Sequence, residues 1–261
     1  MYIVGHCYIT EQSRTFPEES IYDDGLPLLM LPDYVDCHHW AYERAWEADS
    51  EEMRLIQAHM IADWWVHFGP AHTEPRKKVG WAYRRMKIAT RMYKEFFGHA
   101  AAEGLRSPGE PADHVRGFAH SMLEYAIDTY LCRKGVFDPH FESAQRAIRR
   151  IEDFPSVQST IDRLRIVCEV PDLPAEVLSY HTRADLSVEP EQFAFYAAAR
   201  KFGLHVAPES ADFVRGYQER ILKALDVDEV ERIIRMMADC LAEPGEIPRH
   251  VVDVEEYIAR L

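Results

Sequence analysis

The apolar and polar residues along most of the chain recur with the period of an α-helix. Ser50 followed by two glutamates is typical of a helix start, and Gly135 is typical of a helix end. No segment shows the strict alternation of a half-buried strand. The pattern therefore predicts an all-α protein. The clearest helical segments are 51–68, which ends at a break at Gly69-Pro70, and 114–134, 190–203, 210–225 and 227–243.

The other segments of the chain are also predicted to be helical, which indicates a multi-helix bundle. Residues 1–40 mix short apolar runs with prolines and glycine, which predicts turns and short helices there. Helices are also expected over 74–104, 137–153 and 157–170, and the whole pattern predicts roughly seven to ten helices. A chain of 261 residues can bury one sizeable core. We expect a single domain over residues 1–261.

Composition and charge limit the partners and the cellular location that we expect for the protein. The formal net charge of −14 opposes binding to nucleic acid and to anionic membranes. The N-terminus has no pattern of a secretion signal, and no apolar run approaches the length of a membrane helix. Five scattered cysteines without a C-x-x-C disfavour disulfides and zinc knuckles. These features predict a cytoplasmic protein.

Two apolar segments carry ionisable residues at a spacing of four. Because residues four apart share one face of a helix, each segment would place three polar groups in a row. Chance alone would give about two His-x-x-x-Asp/Glu pairs, and the chain has six. Only these two segments extend the pair to a third polar residue within an apolar helix. The rows are His59, Asp63 and His67, and His120, Glu124 and Asp128.

A bound cation would explain why two apolar helices carry such rows. Burying carboxylates is costly unless their charge is compensated. Histidine–carboxylate hydrogen bonds, or a solvated helix face, would compensate a single row. Two similar rows favour a divalent cation held between core helices. Imidazole and carboxylate ligands suit zinc, iron or manganese.

These residues resemble the zinc-dependent phospholipase C / P1 nuclease superfamily, whose members are all-α proteins with a cluster of zinc ions. His59 and Asp63 are similar to the family's first His-x-x-x-Asp pair. His120 and Glu124 are similar to its second pair, on a later helix. Upstream, "LLMLPD" resembles the family's apolar run that ends in a Pro-Asp ligand, here Asp33.

The resemblance implies further histidine ligands from earlier segments. His6 stands where some members have an N-terminal histidine, and His38 or His39 stands where the family has an intermediate one. Neighbouring residues on a helix point about 100° apart, so one of these two would face the cluster.

This chain departs from the family pattern in two places. The family's histidine after the first pair would fall on Gly69, and the nearest candidates are His67 and His72. Secreted members also use the amino group of an N-terminal tryptophan, whereas this chain starts with methionine, so we expect two zinc ions in preference to three. The resemblance covers about residues 1–131 and gives Asp128 no role.

The expected function follows from that resemblance. It implies a metallohydrolase that cleaves a phosphodiester or a phospholipid-like substrate with a metal-activated water. Asp33 and Asp63 are the candidate catalytic residues, as bridging ligands or as groups that orient or deprotonate the water. Residues up to about 135 would form the metal-site half. Residues 136–261 would form a helical half that packs as core or as a homodimer interface.

Two other functions fit the same residues. A di-iron oxidase or oxygenase also places histidines and carboxylates on facing helices, although its Glu-x-x-His signature is missing from the chain. A non-catalytic helical interaction protein would use the rows as satisfied hydrogen bonds or as a structural metal site. Colour and an iron assay identify the di-iron protein, and a non-catalytic protein would bind no metal or bind metal without turnover.

The stretch 76–94 is basic and lacks acidic residues. One interpretation is an anion-binding face beside the metal site, suited to a phosphate ester. The simpler interpretation is a helix face whose cations pair with acidic helices elsewhere. The cations are Arg76, Lys77, Lys78, Arg84, Arg85, Lys87, Arg91 and Lys94.

Overall fold

The helical prediction is confirmed by the computed structural model. Within the part of the chain that the structure describes, no strand occurs. Side chains are described there except at 115–122, 148–149, 211–215 and 217–218. The described ranges are 3–32, 48–67, 80–85, 88–89, 91–92, 115–149, 159, 162 and 211–243.

The helices follow the predicted order along the chain. The expected helix at 157–170, apart from 159 and 162, the one at 190–203 and the expected break at Gly69-Pro70 lie outside the described residues. The helices are α1 (Ile3–Gln12), α2 (Glu18–Tyr22), α3 (Gly25–Leu29), α4 (Glu51–His67), α5 (Val115–Arg133), α6 (Phe141–Arg149, after a 3-10 turn at Asp138–His140), α7 (Ala211–Ala224) and α8 (Val227–Ala242).

Helix α1 lies in the middle of the core. It packs against α2, α3, α4, α5 and α8, and seven of its ten residues are buried. Its apolar positions do not form a single stripe, because neighbours cover it on several sides. The expected turns and short helices of residues 1–40 thus include one helix that is central to the fold.

Helix α4 begins where the sequence predicts. The Ser50 hydroxyl accepts a hydrogen bond from the backbone N–H of Met53 at 3.3 Å, as an N-cap does. α4 packs against α1, α3 and α8. The indole N–H of Trp65 donates to the Cys240 sulfur on α8. The contacts of α8 therefore join the C-terminal half to the helices of the metal-site half.

Helix α5 ends at a left-handed glycine. Gly135 has a φ of +70°, a conformation in which only glycine is free of strain. α5 packs against α1 and α7. Among the described residues, none of the helices has the length and apolar character needed to cross a membrane.

Candidate metal centre

Five buried ionisable side chains from three helices meet in the core. α4 contributes three of them, because residues four apart lie on one face of a helix. α1 and α5 contribute one each. Every one is less than a tenth exposed. They are His6, His59, Asp63, His67 and Glu124, and are called the centre below.

Three members form a histidine-rich group: His6, His59 and Asp63. Their candidate ligand atoms lie within 4.8 Å of one another. The two imidazole rings stack with their centroids 3.7 Å apart and their planes 10° apart. His6 Nε2 lies 3.8 Å from Asp63 Oδ1. The group thus brings two imidazoles and one carboxylate to a single point.

The second, carboxylate-rich group consists of Asp63, His67 and Glu124, whose ligand atoms also lie within 4.8 Å of one another. His67 Nε2 lies 2.9 Å from Glu124 Oε1. His67 Nδ1 donates to the backbone carbonyl of Asp63 at 2.6 Å. Metal-binding histidines commonly donate one ring N–H to a carbonyl in this way, which fixes the other nitrogen toward the metal.

The two groups differ in their electrostatics. Burial, and then the neighbouring His59, hold the pKa of His6 well below its usual range. Burial alone would also lower the pKa of His67, but Asp63 and the hydrogen-bonded Glu124 outweigh it, so this pKa is raised. The lowered pKa of His6 favours the neutral imidazole, the form that binds metals.

The donor set fits a divalent metal ion. Neither ring nitrogen of His6 has a hydrogen-bond partner among the described residues, although both are buried. A buried polar group without a hydrogen bond is costly, and a metal ion would compensate one of these nitrogens. Two carboxylates and three imidazoles are ligands that zinc, iron and manganese accept.

The other predicted ligands are not placed by the structure. Asp33, His38, His39 and His72 lie outside the described residues. The backbone of His120 lies in α5, but its side chain is outside the described part. These five assignments stay predictions from the sequence.

Asp128 has a different role from Glu124, which precedes it by one turn in the same row. Its carboxylate accepts hydrogen bonds from the backbone N–H groups of Val4 at 2.9 Å and of Gly5 at 3.1 Å. It therefore caps α1 and is a member of neither group of the centre.

Tyr83 lies beside the centre. Its ring is tilted by 44° against the His67 ring, with the centroids 5.2 Å apart. Burial, Glu124 and Asp63 raise the pKa of its phenol, in that order of effect. The Gly80 N–H donates to the His67 carbonyl and fixes this segment to the end of α4. No local pattern in the sequence marks this contact.

Part of the basic stretch has a structural role. Arg85 donates to Glu229 of α8 through Nε at 2.8 Å and through its terminal nitrogen at 2.6 Å. Arg84 lies 3.9 Å from the same carboxylate, and the Trp81 indole donates to it at 3.2 Å. At these two arginines the simpler interpretation, pairing with an acidic helix, is confirmed.

Comparisons with family models, curated proteins and solved structures find no match for this chain.

Proposed function

We propose that the protein is a metal-dependent phosphoesterase whose centre binds two zinc ions. The observation that carries the proposal is that Asp63 belongs to both ligand groups. One carboxylate shared by two neighbouring ligand sets is the arrangement expected of a bridging ligand. Two ions side by side can stabilise both the attacking and the leaving oxygen of a phosphoryl transfer.

The ligands of the histidine-rich group support one zinc position. His6 and His59 supply nitrogen atoms that are buried within the core, and Asp63 supplies negative charge. The carboxylate-rich group would hold the second ion through oxygens of Asp63 and Glu124 and a nitrogen of His67. Its two carboxylates offset more of the cation's charge than the single one in the histidine-rich group.

When bound, zinc supplies a water of lowered pKa and polarises the phosphoryl oxygens. Asp63 orients that water or takes its proton, and Asp33 is the second carboxylate proposed for these tasks. Glu124 would supply negative charge to the second ion, and its Oε1 lies 2.9 Å from the His67 Nε2 that would bind the same ion. The phenol of Tyr83, which is mostly buried, borders the centre and would line the approach of a substrate.

The proposed substrate is a phosphodiester, either soluble or part of a phospholipid. The negative charge of the chain disfavours nucleic acid polymers. Arg84 and Arg85 contribute little to an anion-binding face, because Glu229 engages both. Recognition of the phosphate would then rest mainly on the metal ions.

The test begins with protein purified without chelator and without a metal-affinity step. Elemental analysis should find about two zinc ions per chain. Bis(4-nitrophenyl) phosphate, a soluble phosphodiester, should be hydrolysed. Phosphatidylcholine micelles test in parallel whether a phospholipid is a substrate. Activity should vanish on chelation and return with zinc. Metal without turnover on either substrate would refute the phosphoesterase, and protein without metal would refute the centre.

Variants locate the activity. His59→Ala and His120→Ala should both lower zinc content and turnover. Glu229→Gln is the matched control, because it changes a carboxylate that is equally buried and lies outside the centre. Unchanged zinc content in His120→Ala would count against the resemblance from which that ligand comes.

One observation favours a second candidate, a non-catalytic helical interaction protein. The 2.9 Å contact between His67 and Glu124 already gives each a partner without a metal ion. This candidate predicts no bound metal, or bound metal without turnover. The di-iron candidate predicts iron and a coloured protein in the same elemental analysis.

A further inference from the structure

Asp128 joins α5 to the first turn of α1. Its two carboxylate oxygens accept separate hydrogen bonds, Oδ2 from Val4 N–H and Oδ1 from Gly5 N–H. The side chain is fully buried. Its partners stand 124 and 123 residues away in the sequence. The contact therefore belongs to the tertiary structure and is not a local cap.

The bonded N–H groups are ones that a helix leaves without internal partners. The first four N–H groups of an α-helix have no intrahelical acceptor, and the helix dipole favours a negative charge at that end. A buried carboxylate that accepts two of them makes strong, charge-assisted hydrogen bonds. The first turn of α1 is thus fixed in both distance and direction relative to α5.

The next residue of α1 after this contact is His6. Its ring stacks on His59 at 3.7 Å, and its Nε2 faces Asp63 at 3.8 Å. α1 contributes no other member of the centre. The position of the His6 ring relative to α4 therefore depends on how the start of α1 is held.

Helix α5 serves both ligand groups by different means. Glu124, one helical turn before Asp128, is itself a member of the carboxylate-rich group. Asp128 acts on the histidine-rich group indirectly, because its carboxylate holds the backbone of α1, and α1 carries His6. One helix thus sets the relative positions of the two groups.

We propose that Asp128 is a positioning residue of the metal centre, whose carboxylate clamps the first turn of α1 and so holds His6 within reach of His59 and Asp63. This inference rests on the metal ions of the proposed function and is independent of the phosphoester chemistry. Loss of the Asp128 carboxylate should lower the affinity for the ion of the histidine-rich group. The affinity for the ion of the carboxylate-rich group should stay unchanged.

The chain offers a matched control in Asp226. Its carboxylate accepts from the backbone N–H groups of Asp228 at 3.1 Å and of Glu229 at 3.3 Å at the start of α8. Both bonds go to Oδ1 of Asp226, whereas Asp128 uses both of its oxygens. Asp226→Asn therefore controls for the loss of a carboxylate charge at a helix start. α8 carries no member of the centre among the described residues.

The experiment titrates zinc into metal-free wild type, Asp128→Asn and Asp226→Asn. At position 128 an asparagine turns one acceptor into an N–H₂ group that faces a backbone N–H, so one of the two bonds is lost. In Asp128→Asn, the affinity for one of two zinc ions should fall by about 10- to 100-fold, as for other groups that orient metal ligands. The other ion and the Asp226→Asn protein should match wild type. An Asp128→Asn isotherm equal to that of wild type would overturn the inference.

A second measurement covers the case in which Asp128→Asn does not fold. By linkage, zinc binding at His6 must stabilise the docked α1 in the wild-type protein. Hydrogen exchange of the Val4 and Gly5 amides should slow on adding zinc, and the amides at the start of α8 should change less. Equal effects at both helices would overturn the inference.

Neither readout uses turnover, so the outcomes separate the two proposals. A wild-type protein that binds two zinc ions but hydrolyses no phosphodiester refutes the phosphoesterase and leaves the role of Asp128 to the titration. A wild-type protein that binds no zinc refutes the centre and the role of Asp128 together.

Discussion

Two of the sites with a buried carboxylate in the described part of the chain, those of Glu229 and Asp63, differ in the partners of that carboxylate. Glu229 on α8 and Asp63 on α4 are 8% and 7% exposed. Glu229 accepts from the Trp81 indole and the Arg85 guanidinium, which are permanent donors. Asp63 faces imidazoles of His6 and His67. An imidazole nitrogen can donate a proton, accept one or bind a metal ion.

This difference separates a structural site from a candidate metal site. Around Glu229, permanent donors meet a permanent acceptor, and an ion would add nothing. Around Asp63, the buried His6 ring has no hydrogen bond to either nitrogen among the described residues, and a cation would satisfy it. The types of partner, more than the burial of the carboxylate, therefore indicate a site for a ligand.

The largest expected effect is that of Asp63→Asn on metal binding. Because Asp63 is a member of both ligand groups, its replacement by a neutral amide should weaken both zinc ions, by more than about 100-fold in total affinity. Elemental analysis after gel filtration measures this loss. Glu229→Gln should keep about two zinc ions. Equal zinc content in the two variants would mean that Asp63 is no more a metal ligand than Glu229 is.

Removal of the metal should destabilise the protein next most strongly. A ligand at about 100 times its Kd stabilises the folded state by about 2.7 kcal/mol, or roughly 5–10 °C in Tm for a chain of this size. Calorimetry with chelator and with zinc measures the shift. The difference in Tm between zinc and chelator should be as large in Glu229→Gln as in the wild type, and should be small in Asp63→Asn. If chelator still lowered the Tm of Asp63→Asn, the stabilising metal would be bound outside the centre.

A smaller effect is expected for Glu229→Gln on stability. The amide leaves the Arg85 guanidinium without its counter-charge, at a cost of about 1–3 kcal/mol, because Arg85 is itself partly exposed. Urea unfolding measures the change in the free energy of unfolding. A loss of zinc in the folded variant would contradict the purely structural role given to this site.

The smallest expected effect is that of Arg232→Gln. Its guanidinium lies 4.0 Å from Glu229 and is 66% exposed, so solvent screens the pair and the change in stability should stay within about 0.5 kcal/mol. The same urea titration measures it. A cost as large as that of Glu229→Gln would mean that Arg232, and not Arg85, is the principal partner.

Much of the fold could be predicted because it depends on local signals. The Ser50 cap, Gly135 and the period of the apolar residues each act within a few positions, so the helices that carry them were found. The central position of α1 could not be predicted. Its apolar residues point in several directions, and only packing against five other helices gives that pattern a meaning.

The centre was partly predictable for the same reason. His59, Asp63 and His67 share one helix, and their spacing alone places them on one face. Asp128 has the same spacing from Glu124, yet it bonds to α1 and not to the centre. Spacing places a residue on a helix face, but the partner that it meets there comes from a distant part of the chain.

The clamp between α5 and α1 also has a consequence for biosynthesis. Val4 is made 124 residues before Asp128, which at roughly 5–20 residues per second separates the two by on the order of ten seconds. During that interval the N-terminal segment has left the ribosome without the helix that holds it. The nascent chain would therefore expose apolar surface that chaperones recognise, and its most central helix would be among the last to dock.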